Sequence, residues 1–213
     1  VVGTLHVLEA AACAGVPSVV LASSSAVYGD PVAIPIAEST EVRPTSPYGV
    51  SKRCVELYAE AMSALHGLDV TCLRYSNVYG PGAEPHTEAG VIPLFIQALG
   101  SGVAPCIYGD GTATRDYIYV DDVVRGNLAA GKLRGFHAVN LGTGVETSVN
   151  TLFASLHSRL GGPEARHGAA RPGEIQRSTL DSSRAAALLG WRAEISLQDG
   201  LGLLLAGRHA RAA

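Results

Sequence analysis

The sequence predicts an α/β protein built on a doubly wound parallel sheet, and three observations carry that prediction. Short, continuous apolar runs of strand length recur at Ser18–Ser23 (SVVLAS), Val70–Tyr75 (VTCLRY) and Ala138–Leu141 (AVNL). Such runs suit strands buried on both faces, as in parallel sheets. Segments with helical periodicity and helix-capping residues separate them. The two kinds of segment alternate along the chain, as strand–helix–strand crossovers require.

Taken in order, Gly3–Ala14 reads as a helix with an apolar stripe through Leu5, Leu8 and Ala12, stopped by Gly15. Pro17 turns the chain into the first strand, and a loop rich in Pro, Asp and Thr runs from Gly29 to Ser46. Ser46 as N-cap and Pro47 at the first helical position start a long helix to His66. After the second strand come a loop at 80–90, a helix over Val91–Ser101 and a short strand at Cys106–Tyr108 before the turn Gly109-Asp110-Gly111. Tyr117–Val120 reads as a strand, and Asp121 begins a helix through Ala130, where carboxylates favour the positive helix end. Ser148 caps a helix to Leu160. The stretch from Pro163 to Leu180 reads as irregular, and Ser182–Leu189 and Leu197–Leu205 as closing helices.

Composition narrows the function classes. A 213-residue chain with 47% apolar and 16% charged residues is globular, and a net charge of −3 gives no basic face for nucleic acid. No apolar run reaches membrane-spanning length. Cys13, Cys54, Cys72 and Cys106 show no CxxC spacing and are expected to be buried, reduced thiols of a cytoplasmic protein. The seven histidines show no metal-ligand spacing, so no metal is expected. The chain opens on Val1 in what reads as mid-helix, so a fragment or truncated protein is expected.

Two constellations carry chemistry. Tyr48 and Lys52 lie four residues apart on one helix face, within reach of a shared ligand. A phenol with a pKa of about 10 is a poor base at neutral pH, and a neighbouring ammonium favours the phenolate. The pair is thus a route to a general acid or base, although the same spacing also fits an aromatic and a lysine on a helix surface. Ser23-Ser24-Ser25 ends the first strand, where ligands bind open α/β sheets; it also suits a turn that satisfies its own backbone.

In this order and spacing, SSSAVYG, PYGVSK, LRYSNVYGPG, YGDGTATRDYIYVDD, NLGTG and RPGE resemble the extended short-chain dehydrogenase/reductase family, most closely its UDP-glucose 4-epimerase-like members. The resemblance runs from about Gly3 to Leu201. It implies a partial Rossmann-like sheet with a small C-terminal substrate-binding α/β lobe. The remainder of the NAD-binding domain would be 1–77 and 119–142, and the nucleotide-sugar lobe 78–118 and 143–213. Ser24 matches the catalytic hydroxyl, with Ser25 its near rival. Tyr48 matches the catalytic base, and Lys52 the residue that holds the nicotinamide ribose. Tyr75 matches a position lining the nicotinamide, and Asn77 one contacting the diphosphate. Val91 and Ile92 match a stretch beside the nucleotide base. Arg115 and Arg171 match two diphosphate-binding arginines, and Glu174 an acidic residue near the nucleotide ribose. Ser178 matches the position where a large aromatic crowds out N-acetyl sugars.

The resemblance therefore implies an NAD-dependent UDP-hexose 4-epimerase, dimeric through helices 3–14 and 47–66. A nucleotide-sugar dehydratase is the alternative, but its acidic pair would stand where this sequence has Ser25-Ala26. A UDP-glucuronate epimerase or decarboxylase, and a non-catalytic remnant that only associates, stay open. The family's glycine-rich phosphate loop should precede the catalytic hydroxyl by roughly a hundred residues, because two or three βαβ units lie between. Ser24 has twenty-three residues before it, so weak NAD binding by these 213 residues alone is expected.

Overall fold

Local signals set the long elements of the computed structural model, which describes residues 1–83, 90–171, 173 and 175–212, the side chains of 208–212 excepted. Ser46 Oγ accepts the Gly49 N–H at 3.1 Å with Pro47 in the first turn, and Gly67 closes the same helix in the left-handed region. Ser148 Oγ likewise accepts the Thr151 N–H at 3.0 Å. The chain runs α1 (Val2–Cys13), β1 (Ser18–Ser24), a 3₁₀ turn (Ser25–Tyr28), α2 (Pro47–His66), β2 (Asp69–Tyr75), β3 (Asn77–Tyr79) and α3 (Val91–Gly100). It continues through β4 (Cys106–Tyr108), β5 (Thr114–Arg115), β6 (Tyr117–Tyr119), α4 (Val120–Ala130), β7 (Phe136–Leu141), β8 (Thr147–Ser148) and α5 (Val149–Leu160). β9 (Arg166–Gly168), β10 (Arg177–Ser178), α6 (Ser183–Leu189) and α7 (Leu197–Ala212) complete it.

The main sheet is parallel, in the order β1-β2-β7. Its register aligns the carboxyl ends, with Ser24 opposite Tyr75 and Tyr75 opposite Leu141. Side chains alternate across a strand, so β2 serves two cores. Val70 and Cys72 pack with Leu8 and Ala11 of α1 and Ala59 and Met62 of α2. Leu73 packs on the opposite face with Val123 and Ala130 of α4, Ala185 of α6, and Trp191. Helices on both faces make the sheet doubly wound, as the apolar runs predict. A third core gathers Phe95 of α3, Leu152, Phe153 and Leu156 of α5, and Leu201 and Leu204 of α7 beside the carboxyl ends of the strands.

Two buried carboxylates lock the connections. Asp116 accepts the Thr143, Gly144 and Leu180 N–H groups at 2.9–3.2 Å and the Thr143 hydroxyl at 2.6 Å, fixing the NLGTG turn. Asp122, in the first turn of α4, accepts the Glu194 and Ile195 N–H groups and pairs with Arg125 at 2.6 Å. It holds the 191–195 segment onto the sheet, a structural use of the acidic helix start.

Several expectations change. The stretch 163–180 is not wholly irregular, since β9 pairs with β4 and β10 with β5. β3, which the pattern does not reveal, pairs with β6. Strands of two or three residues are too short to establish a period. The cysteines are not uniformly buried: Cys72 is, Cys13 is exposed, and Cys54 and Cys106 lie between. Cys13 falls two residues beyond Ala11, which turns it away from the packed stripe of α1. Among the described residues, no helix is long and apolar enough to cross a membrane.

Candidate active site

A cleft of about 750 Å³ opens at the carboxyl ends of β1 and β2. Its floor is Ser23 to Ala26 and Tyr75 to Gly80. One wall carries Tyr48, another Val91, Ile92 and Pro93, and a third Arg115, Tyr117, Ile175 and Ser178. The sequence thus brings Ser24, Tyr48, Tyr75, Asn77, Val91, Ile92, Arg115 and Ser178 to one cavity, although they span some 150 positions from Ser24 to Ser178.

The serines divide by role. Ser23 Oγ donates to Glu56 at 2.6 Å and is buried. Ser24 Oγ accepts the Ala26 N–H at 3.2 Å as cap of the 3₁₀ turn. That leaves its own proton and a lone pair for a ligand. Ser25 also lines the cleft. Gly49 lets α2 come this close: a Cβ there would collide with the Ala26 carbonyl oxygen.

Tyr48 is 55% exposed, and its hydroxyl has no partner among the described residues. The other cleft tyrosines differ. Burial pushes Tyr75 up, partly offset by its hydrogen bond to Asn127 at 2.9 Å. Burial pushes Tyr117 up to about 12 despite the lowering influence of Arg115, and it pushes Tyr79 higher still. Tyr79 and Tyr117 are buried and the Tyr75 hydroxyl is engaged by Asn127, whereas Tyr48 presents an open hydroxyl to the cleft, so Tyr48 is the cleft phenol placed for proton transfer.

Lys52 Nζ donates to the Ala22 carbonyl at 2.9 Å and lies 5.6 Å from the Tyr48 ring centroid. It stands behind Tyr48 rather than in the cleft wall. Arg171 does not line the cleft either. Its guanidinium stacks 3.8 Å from the ring centroid of Tyr108. Arg115 Nη1 donates to the Thr114 carbonyl at 2.8 Å and reaches the cavity. Glu174 lies outside the described residues.

Beneath the cleft sits a polar network that the motifs do not reveal. Glu56 is fully buried and accepts from Ser23, from Arg74 Nε and Nη2 at 2.8 Å each, and from Arg53 at 3.1 Å. Arg74 Nη1 donates to the Tyr28 hydroxyl, which donates to Asn140 Oδ1, both at 2.8 Å. Burial pushes the Glu56 carboxyl up, but the hydrogen bonds and charge of Arg74, with Ser23 and Arg53, leave it below the ordinary range. The available signal was an arginine inside the apolar run VTCLRY, since a charge in a central strand needs a partner.

Residues 1–142 match the NAD dependent epimerase/dehydratase family. The chain belongs to that family. It is 43% identical over 204 residues to a UDP-glucose 4-epimerase of Mycolicibacterium smegmatis, covering 94% of this chain and 65% of that relative. A Thermotoga maritima UDP-glucose 4-epimerase structure with UDP-glucose matches with a TM-score of 0.96 and 38% identity, covering all of this chain and 70% of that one. A Thermus thermophilus UDP-glucose 4-epimerase complex with NAD matches at a TM-score of 0.89 and 35% identity, covering 99% and 69%. The chain thus spans about two thirds of the length of such relatives. As in the epimerase/dehydratase family generally, NAD is the cofactor to test against the site. The donor set fits its nicotinamide ribose end: Lys52 keeps two N–H groups beyond the Ala22 contact, beside an open phenol.

Proposed function

We propose that this chain carries the acid/base and sugar-nucleotide site of an NAD-dependent epimerase acting at C4 of a UDP-hexose. The observation that carries the reading is the gathering of Ser24, Tyr48, Asn77 and Arg115 on one cleft, with Lys52 behind Tyr48. Tyr48 removes the proton of the sugar 4-hydroxyl, and Ser24 bridges the two oxygens with its free hydrogen. The Lys52 charge stabilises the negative charge that develops on the Tyr48 oxygen. Tyr48 and Lys52 would hold the nicotinamide ribose of NAD, with Tyr75 close by, and NAD would supply a reversible hydride acceptor, taking the C4 hydride and giving it back. Arg115 and Asn77 hold the diphosphate while the keto-sugar turns over, with Arg171 as the second arginine of that clamp. Tyr48 then returns the proton. Incubating the full-length protein with UDP-galactose and NAD and following the anomeric proton signals by NMR should show conversion to UDP-glucose; unchanged UDP-galactose would reject the reading.

Residues 1–77 and 119–142 serve as the cofactor side and the remainder as the nucleotide-sugar side, although Ala185 and Trp191 pack on the sheet core. Val91 and Ile92 border the base. The dehydratase alternative loses support at Ser25 and Ala26, which line the cleft without a carboxylate. A sugar carboxylate, as in a UDP-glucuronate epimerase, remains compatible with the cleft.

Ser178 bears on substrate width. It lines the cleft and leaves volume that an aromatic would fill. UDP-GlcNAc should be accepted alongside UDP-glucose, and Ser178→Tyr should lower the kcat/KM for UDP-GlcNAc about tenfold relative to UDP-glucose, a steric difference of about 1.4 kcal/mol. An unchanged ratio would remove Ser178 from specificity. Val7 of α1 and Val50, Leu57, Tyr58 and Leu65 of α2 are exposed apolar side chains on neighbouring helices. They support a homodimer through this pair. Light scattering of the full-length protein should give twice the chain mass, and a monomeric mass at micromolar concentration would discard the dimer.

A further inference from the structure

Three elements must keep fixed positions for the chemistry proposed above: β1 with Ser24, α2 with Tyr48 and Lys52, and β2 with Tyr75. One carboxylate touches all three. Glu56 follows Lys52 by four residues and Tyr48 by eight, so the three side chains share one face of α2. Its partners Ser23 and Arg74 sit one residue before Ser24 and Tyr75, and they face each other across the β1–β2 register. Its four acceptor positions are filled by Ser23, Arg53 and both forks of Arg74. Arg74 is in turn satisfied by Tyr28, which Asn140 of β7 anchors. A buried ion pair whose carboxylate is fully bonded and whose guanidinium has a partner on each nitrogen adds little net stability over apolar residues of similar volume, but it restricts the geometry.

We infer that Glu56 is a positioning residue, acting through Ser23 and the register of α2 on β1 to set the geometry of Ser24, Tyr48 and Lys52. The inference rests on the epimerase reading. Without the carboxylate, Ser23 loses its acceptor, and the Lys52–Ala22 contact of 2.9 Å becomes the side-chain hydrogen bond left tying α2 to β1 among the described residues. The helix then settles on that one hydrogen bond and on apolar packing, which tolerate small shifts. A displacement near 1 Å lowers turnover by up to about 100-fold while leaving ground-state binding nearly intact.

The test compares Glu56→Gln with the double substitution Glu56→Leu/Arg74→Leu in the full-length protein. Glu56→Gln strands the Arg74 charge and is liable to unfold; the double variant removes both charges and should melt close to the wild type. The double variant should keep kcat about 10- to 100-fold down with KM for UDP-galactose within about threefold. Recovery of wild-type kcat together with stability would reduce the network to a structural role and overturn the inference. A crystal structure of the double variant supplies a readout independent of activity. The Lys52–Ala22 contact should lengthen beyond hydrogen-bond distance, and its retention with Ser24 and Tyr48 unmoved would equally overturn the inference. A wild-type protein that converts no nucleotide sugar would refute the functional reading instead, and the structural comparison would still decide whether Glu56 sets the register.

Discussion

Tyr48→Phe is expected to lower kcat by about 10²–10⁴-fold, the usual contribution of a positioned general acid or base, while UDP binding changes little. The substitution deletes one hydroxyl and keeps the ring that Lys52 faces at 5.6 Å. Tyr48 is more exposed than not, so folding stability should move by no more than about 0.5 kcal/mol. The loss therefore reads chemistry rather than folding. Rescue by a neighbouring phenol is closed by position: Tyr79 and Tyr117 are buried, and the Tyr75 hydroxyl is engaged by Asn127. Steady-state kinetics beside calorimetric titration with UDP separates the two effects. A wild-type rate would move the acid/base role away from Tyr48, and a lost UDP affinity would make the residue a binding contact. Lys52→Met should also impair turnover, but its interpretation is mixed, since Lys52 ties α2 to the Ala22 carbonyl as well as facing the ring.

The features legible in the sequence are those with local causes. Ser46 and Pro47 start α2 by capping, and the four-residue spacing of Tyr48 and Lys52 puts both on one face whatever the tertiary context. β2 announces itself because burial on both faces demands an unbroken apolar run, whereas β1, read the same way, is an edge strand of the described sheet and mostly half-buried. The rest depends on contacts distant in sequence. Glu56 and Arg74 lie eighteen positions apart, and nothing local to α2 marks Glu56 as inward-facing rather than solvated. Arg171 matches a diphosphate position by motif, yet its side chain rests on Tyr108, a choice made by the fold of β4 against the 166–171 segment. Ser23, Ser24 and Ser25 are equivalent as letters and all border the cleft, and only the fold gives the Ser23 hydroxyl to Glu56, makes Ser24 the cap of the 3₁₀ turn and starts that turn at Ser25.

The buried pair yields the largest stability prediction. Arg74→Met should destabilise the protein by about 3–5 kcal/mol at pH 7, because it leaves a buried carboxylate without its main counter-charge. The Arg74 side chain is 5% exposed and that of Glu56 not at all, so solvent cannot substitute. The sign of the pH dependence follows from which influence governs Glu56. In the wild type, Arg74, Ser23 and Arg53 outweigh burial and hold the folded-state value below that of the unfolded chain. Its stabilising contribution is then complete above the unfolded value of about 4.3 and is lost as pH falls through the folded value. Without Arg74, burial governs, and the folded-state value rises above the unfolded one. The variant is penalised most near neutrality and recovers as the carboxyl takes up a proton in both states. Urea unfolding of the two proteins from pH 7 down to pH 4 should therefore show the gap narrowing steadily. A gap independent of pH would mean that Arg74 contributes by packing and hydrogen bonding alone, and that Glu56 does not carry a charge in the folded protein.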